Sequence, residues 1–229
     1  MAEAKKILKK PKRRTLMIIS VAVLIIVIAG AGVFIFMGGQ QRMMKPIDTG
    51  EFLSGIYAIK TGSVNMFLIE ADGKYIAVDA GSGADAVEKG LSQLGVGAGD
   101  VAAVLLTHTH GDHTAGLKLF STAAVCGADK STADHFINDG DTILLLGVDI
   151  QVISTPGHAD DSVCYLFSGK HLFAGDNLSL VDGKVGLFNS VFNKSDEQQK
   201  ADIDKLSKLE NIEYVITAHY GYAANPVYP

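Results

Sequence analysis

Beyond residue 55 the apolar positions alternate between two rhythms, one of period two and one near 3.6. IYAIK (56–60), VNMFLIEA (64–71) and YIAVDAG (75–81) read as strands separated by Gly-rich or Asp-Gly turns. ADAVEKGLSQLG (84–95) has helical spacing and ends at Gly95. VAAVLLT (101–107) is apolar throughout, the pattern of a strand covered on both faces. TAGLKLF (114–120) and KSTADHFIN (130–138) are weaker helix candidates. TILLLGVDIQVIST (142–155), SVCYLFSG (162–169) and KHLFAG (170–175) read as strands. Ser195-Asp196-Glu197-Gln198 is a capping box that opens a helix to about Leu209, and EYVITAH (213–219) closes as a strand. Strand clusters with helices between them predict layered α/β architecture.

The first 50 residues follow another pattern. Lys5, Lys6, Lys9, Lys10, Lys12, Arg13 and Arg14 precede Leu16 to Met37, 22 residues without a charge. About 20 apolar residues span a bilayer as a helix, and a basic flank stays on the cytoplasmic side. A cleaved signal peptide has an apolar stretch of only about 7–15 residues. Ala29-Gly30-Ala31 resembles a cleavage site, but apolar Val33–Met37 follows it, which favours an uncleaved anchor. The predicted organisation is a basic cytoplasmic tail (1–15), a transmembrane signal anchor (16–37), a linker (38–50) and one extracytoplasmic domain (51–229).

Charge then narrows the function. From residue 45 onward the chain has 12 Lys, no Arg and 24 Asp plus Glu, a formal −12 that the whole-chain value of −5 conceals. Such a surface lacks the basic footprint of a nucleic-acid binder and the guanidinium fork that grips phosphates, so a small-molecule partner is expected and no nucleic acid. Cys126 and Cys164 each sit in an apolar strand-like run; buried free thiols are expected, with a disulfide as the alternative, and neither has zinc-thiolate spacing.

Three of the seven histidines fall in His108-Thr109-His110-Gly111-Asp112-His113. In extended chain His108 and His110 point the same way. Gly111 permits a sharp turn, after which Asp112 and His113 face a second position. Three further elements follow at predicted strand ends: Thr155-Pro156-Gly157-His158, Ala174-Gly175-Asp176 and Ala218-His219-Tyr220-Gly221. Converging strand ends offer three histidines on one side, an aspartate and two histidines on the other, and Asp176 between. That donor set suits two divalent ions, with zinc favoured and manganese or iron acceptable at the oxygen-containing position. His135 reads as a helix-surface residue and His171 as a strand-edge residue, both outside the site.

THTHGDH, TPGH, FAGD and AHYG, with the early VDAG at 78–81, resemble the metallo-β-lactamase-fold superfamily over about residues 55–222. The resemblance implies a four-layer αββα sandwich with the site at one edge of two sheets. It implies that His108, His110 and His158 hold one ion, that Asp112, His113 and His219 hold the other, and that Asp176 bridges. It casts Asp79 as a support that orders the ligand loop. Asp at position 176, where the drug-hydrolysing branch has Cys or Ser, is similar to the glyoxalase II, lactonase and nuclease branches. Glyoxalase II carries a C-terminal helical domain, for which the ten residues after His219 leave no room.

The expected chemistry is hydrolysis of a small ester, thioester, lactone or amide by a hydroxide shared between the ions. Asp112 orients the nucleophile and Tyr220 is a candidate donor to the oxyanion. Phe188 and Phe192 are candidate walls of the substrate mouth or ordinary core. Two rivals are a metal-dependent phosphodiesterase or nuclease, and a non-hydrolytic metal-binding or redox protein of the same fold. The flavin-linked diiron branch has Glu where His110 stands.

Overall fold

The computed structural model describes residues 23, 25–28, 30 and 44–229. The first group is helical and apolar, with Val23 and Ile25 to Ile28 exposed. Most of the predicted anchor, the basic tail and residues 38–43 lie outside the described residues. Among the described residues no helix is long and apolar enough to cross a membrane.

Residues 44–229 form a unit of their own. Its first sheet has seven strands in sequence order: β1 (Gly50–Leu53), β2 (Ile56–Thr61), β3 (Val64–Ala71), β4 (Lys74–Val78), β5 (Val101–Leu105), β6 (Ala124–Gly127) and β7 (His135–Phe136). The second sheet is built from β8 (Thr142–Leu145), β9 (Val148–Ser154), β10 (Val163–Phe167), β11 (His171–Phe173), β14 (Tyr214–Ile216) and β15 (Tyr222–Ala224), in the order β15-β14-β11-β10-β9-β8. A hairpin of β12 (Ser179–Val181) and β13 (Lys184–Gly186) stands apart. The helices are α1 (Ala84–Leu94), the short α2 (Gly111–Thr114) and α3 (Asp196–Ser207).

Side-chain alternation explains the layering. Along β3, Phe67 and Ile69 point between the sheets, where they join Val152, Tyr165, Phe167, Phe173 and Ile216. Met66 and Leu68 point the other way, onto Val87 and Leu91 of α1. Along β10, Val163, Tyr165 and Phe167 face inward, whereas Cys164 and Leu166 meet Ile203 and Leu206 of α3. The result is α1, sheet, sheet, α3. Strands covered on both faces lose the polar half of their alternation, which is why β3 and β10 read as continuous apolar runs. Each large apolar side chain sealed in these layers contributes about 1.5–3 kcal/mol.

Two bonds pin the sheets together where β5 ends: the buried Tyr165 hydroxyl donates to Leu106 O at 2.7 Å, and Val163 N donates to Thr107 O at 2.8 Å. The chain leaving β5 is therefore held by the opposite sheet, and that chain carries the histidine cluster.

Several local expectations are corrected. Residues 142–155 are two strands, because Leu146 and Gly147 both take positive φ (48° and 77°) and close a hairpin. Leucine disfavours that conformation, so the turn was hidden in an apolar run. Residues 130–138 are not a helix; Asp129 caps a turn through Ser131 N, and His135 stands exposed on edge strand β7. Within 114–120 there is no continuous helix: Thr114 ends α2 and Leu117–Leu119 forms one 3-10 turn. β1 begins at Gly50, inside the predicted linker. Gly95 caps α1 in the left-handed conformation, and Ser195 Oγ accepts Gln198 N to cap α3, as their sequences indicate. Cys126 and Cys164 are free and buried in different core clusters.

Candidate metal centre

The THTHGDH run leaves β5 and turns into α2, whose N-cap is His110. His158 follows β9, Asp176 follows β11, and His219 follows β14. Both sheets thus deliver strand ends to one edge of the sandwich. There His108, His110 and His158 bring ligand atoms within 4.8 Å of one another, as do Asp112, His113 and His219. A third triad, His108, His113 and Asp176, overlaps both. Asp176 Oδ2 lies 3.6 Å from His158 Nε2 and 3.3 Å from His219 Nε2, and its Oδ1 lies 3.4 Å from His113 Nε2. Asp112 Oδ2 is 3.4 Å from His219 Nε2. The seven sequence-predicted donors are therefore in one cluster.

Outer partners determine which ring nitrogen faces inward. Asp79 Oδ1 accepts Thr107 N at 2.8 Å, and its carboxylate also takes the Thr107 hydroxyl. Carboxylates only accept, so His113 Nδ1 donates to Asp79 Oδ2 at 2.7 Å, leaving the Nε2 lone pair directed inward. The Thr107 proton is already committed, so Thr107 Oγ1 accepts from His108 Nδ1 at 3.1 Å, with the same result. His219 Nδ1 donates to the Ser63 carbonyl at 2.6 Å. His110 Nδ1 sits 3.0 Å from His158 Nε2.

Asp79 itself adopts φ 62° to reach this position. Gly175, at φ 53°, leaves room for Thr107: a Cβ there would stand 2.6 Å from Thr107 Oγ1. Gly157 gives a second close approach, since a Cβ would run into the backbone of Gln199 in α3. Overpacking of this kind costs about 1–3 kcal/mol. Gly157→Ala should therefore lower the melting temperature by several degrees, at roughly 2–4 °C per kcal/mol for a domain of this size. A variant melting with the parent would show that α3 does not seat on this glycine.

Buried together, the carboxylates and imidazoles of the cluster shift one another strongly. Burial opposes charge on Asp176, yet His113 and His219 hold its carboxyl well below the usual range. Burial likewise opposes charging of His113, but Asp176 and Asp79 more than offset it and raise it well above an ordinary histidine. His219, burial again opposing, is pushed up to about 9 by Asp176 and Asp112. Burial pushes His108 and His158 down. His108 Nε2, His113 Nε2 and Asp176 Oδ1 are buried without a hydrogen-bond partner. Orphaned buried groups cost about 1–3 kcal/mol each, and divalent ions fit as the missing partners.

The aromatic neighbours are also placed. Phe188 is buried, with its ring edge-on to His158 (5.0 Å) and near His219 (5.6 Å); Phe192 lies 6.5 Å from Phe188. Tyr220 stands edge-on to Phe188 at 5.7 Å and packs partly against the α3-side core. His171 stacks on Tyr214 in the second sheet and His135 is on β7, both away from the cluster. The sequence reading missed Asn193 and Gln199. Both are uncharged amides in no motif, and only their place beside the site marks them, Gln199 buried and Asn193 half-buried.

The family model described as the metallo-beta-lactamase superfamily matches residues 59–135. A hydroxyacylglutathione hydrolase of Salmonella arizonae is 34% identical over 130 residues, covering 54% of this chain and 49% of that protein. A lactamase-like protein of Aspergillus sp. is 30% identical over 125 residues, covering 50% and 38%. The chain thus spans about half or less of the length of the curated relatives it matches. Among solved structures, a metallo-beta-lactamase from Pontibacter korlensis superposes with TM-score 0.64 at 19% identity, over 77% of this chain and 93% of that one. A metallo-beta-lactamase family protein from Thermus thermophilus gives 0.55 at 23%, over 76% of each. At these identities the structures speak for the fold, and the sequence matches speak for descent. Residues 59–135 thus match the metallo-beta-lactamase superfamily in sequence, and the sandwich as a whole has the fold of the solved metallo-beta-lactamases.

Proposed function

We propose that this protein is a membrane-anchored, extracytoplasmic, dinuclear metal-dependent hydrolase of a small ester, thioester, lactone or amide. The observation that carries the reading is the convergence of seven donors, three of which, His108 Nε2, His113 Nε2 and Asp176 Oδ1, are buried and unpaired. His108, His110 and His158 would hold one ion, Asp112, His113 and His219 the other, with Asp176 shared. Zinc suits this donor set, and such ions lower the pKa of water and polarise a carbonyl.

The chain's own residues supply the rest. Asp112 is the most solvent-open of the site's carboxylates, its side chain 42% exposed, and with Oδ2 turned to His113 and His219 it would also orient the attacking water. Phe188 forms an apolar wall beside His158 and His219, excluding water from one flank and seating an acyl group. Tyr220, edge-on to Phe188, is the candidate hydrogen-bond donor to the developing oxyanion. An Arg-free domain has no bidentate anchor for phosphate, which favours carbonyl substrates over phosphodiesters. The Salmonella relative, named for hydrolysis of a hydroxyacylglutathione, supports an acyl substrate. The basic tail and the 22 uncharged residues after it support the anchor.

Metal analysis of the full chain purified in detergent should find about two ions per chain, with turnover in a panel of thioesters, lactones and esters. Content well below one ion, or turnover of nitrophenyl phosphodiesters alone, overturns the reading. Alkaline extraction of membranes tests the anchor; release into the supernatant removes it. Phe188→Ala should raise KM roughly tenfold, the ~1.4 kcal/mol scale of an aromatic contact, with metal content kept. An unchanged KM on an active substrate would return Phe188 to a packing role.

A further inference from the structure

His158 differs from the other inward-facing histidines in what holds it. His113 is held by a carboxylate, His108 by a threonine hydroxyl and His219 by a backbone carbonyl, whereas His158 Nδ1 meets a side-chain amide, Asn193 Oδ1, at 3.3 Å. An amide can present either oxygen or nitrogen, so alone it does not dictate which imidazole nitrogen carries the proton. The orientation is dictated one step further out.

Gln199, on the first turns of α3, is fully buried. Its Oε1 accepts Phe188 N at 2.8 Å, and a backbone N–H can only donate. Gln199 Nε2 must then face the other way, and it donates to Asn193 Oδ1 at 3.0 Å. Asn193 is fixed a second time from its other end. Its two Nδ2 hydrogens face three acceptors, one of them shared: Gln199 Oε1 at 2.9 Å, the Phe188 carbonyl at 3.2 Å and Asp196 Oδ1 at 2.8 Å. With both amides oriented, Asn193 presents only oxygen to His158.

We infer that Asn193 and Gln199 are positioning residues that set the tautomer of His158, keeping the proton on Nδ1 and the lone pair of Nε2 directed at the metal centre. The same pair holds Phe188 by its N–H and its carbonyl, so one clamp places both a metal-binding histidine and the wall beside it. Helix α3 secures the clamp to the TPGH loop: Asp202 Oδ2 accepts Gly157 N at 2.8 Å, Ser195 N donates to Gly157 O, and Lys194 N donates to His158 O. The consequence for the ions, though not the tautomer itself, rests on the dinuclear reading given above.

Long-range proton–nitrogen correlation spectra of the ion-free full chain in detergent micelles read the tautomer directly. Wild-type His158 should show Nδ1–H with a bare Nε2; the opposite tautomer overturns the inference without need of any variant. Asn193→Leu removes the acceptor, and the nearly isosteric Gln199→Glu removes the donor that orients Asn193. Both should mix or invert the His158 tautomer. Each should also weaken one zinc ion by roughly 10–100-fold in a chelator competition, the usual cost of losing an outer partner of a ligand histidine, while the second ion is held as in the parent. The exposed Lys200→Ala on the same helix serves as control and should change neither. Equal weakening of both ions in proportion to a lowered melting temperature would mean that the pair is only scaffold, and overturns the inference. So would unchanged zinc affinity with an unchanged tautomer. Failure of the wild-type chain to bind zinc would instead sink the proposed function, leaving the tautomer measurement to stand or fall separately.

Discussion

Asp176→Asn is expected to leave the chain with at most one bound ion and to lower hydrolysis by about 10³-fold or more, at least the cost of removing one transition-state contact. Asp176 is the carboxylate that faces both halves of the cluster, within 3.6 Å of His158, His113 and His219. An amide of the same shape keeps one neutral oxygen but loses the charge that lets two cations sit close together. It also turns N–H groups toward imidazole nitrogens that must accept an ion. Far-ultraviolet circular dichroism should match the parent, because the substitution removes no apolar contact. Metal content by mass spectrometry and initial rates on an active acyl substrate check the result. Two retained ions with a rate within tenfold of the parent would show that Asp176 does not join the two positions.

Asp79→Ala is expected to be the most damaging single change to the fold near the site. Asp79 is 1% exposed and touches no inward-facing ligand atom. Its carboxylate receives a backbone N–H, a hydroxyl and an imidazole N–H, all from the β5-to-α2 passage. Removal leaves these donors buried, at about 1–3 kcal/mol for each that finds no new partner. Alanine also loses about 1–2 kcal/mol in keeping the left-handed backbone that aspartate tolerates better. A loss of about 3–5 kcal/mol follows, lowering the melting temperature by roughly 10 °C or more. Asp79→Asn, which suits φ 62°, should fall between the two, since its amide nitrogen meets a donor. Thermal melting of the three proteins in chelator, so that ions do not mask the difference, decides it. A shift below about 2 °C for Asp79→Ala would show that the loop is held by other means.

The donors of the candidate site were legible in the sequence because their chemistry is carried by residue type and by position at strand ends. His108, His110, Asp112 and His113 crowd into six positions, and His158, Asp176 and His219 each follow a recognisable apolar run. The same holds for β3, β10 and α1, whose patterns leave one reading. Less was legible where tertiary context overrides local preference. Leu146 takes a conformation that leucine disfavours because the two strands beside it pair and force the turn. Residues 130–138 carry helix-compatible residues yet lie along a sheet edge. Asn193 and Gln199 carry no charge and no motif; their significance arises only from how three segments meet around them. The supporting role expected for Asp79 came from resemblance, and the bonds it makes could not be read from spacing.

The hydrogen bond from His219 to Ser63 joins residues 156 positions apart. The edge where the donors meet is therefore completed only when the first strands and nearly the last have found each other. Topologies dominated by such distant contacts fold on the millisecond-to-second scale, because the entropy of loop closure is lost before the contacts return anything. The donor set divides unevenly under unfolding. His158, Asp176 and His219 scatter, but His108, His110, Asp112 and His113 stay within one six-residue stretch, so any affinity of the unfolded chain for a cation would reside there. A ligand stabilises a fold only by its preference for the folded state over the unfolded one. Ion binding here should thus raise the folding stability by less than the full affinity of the assembled site.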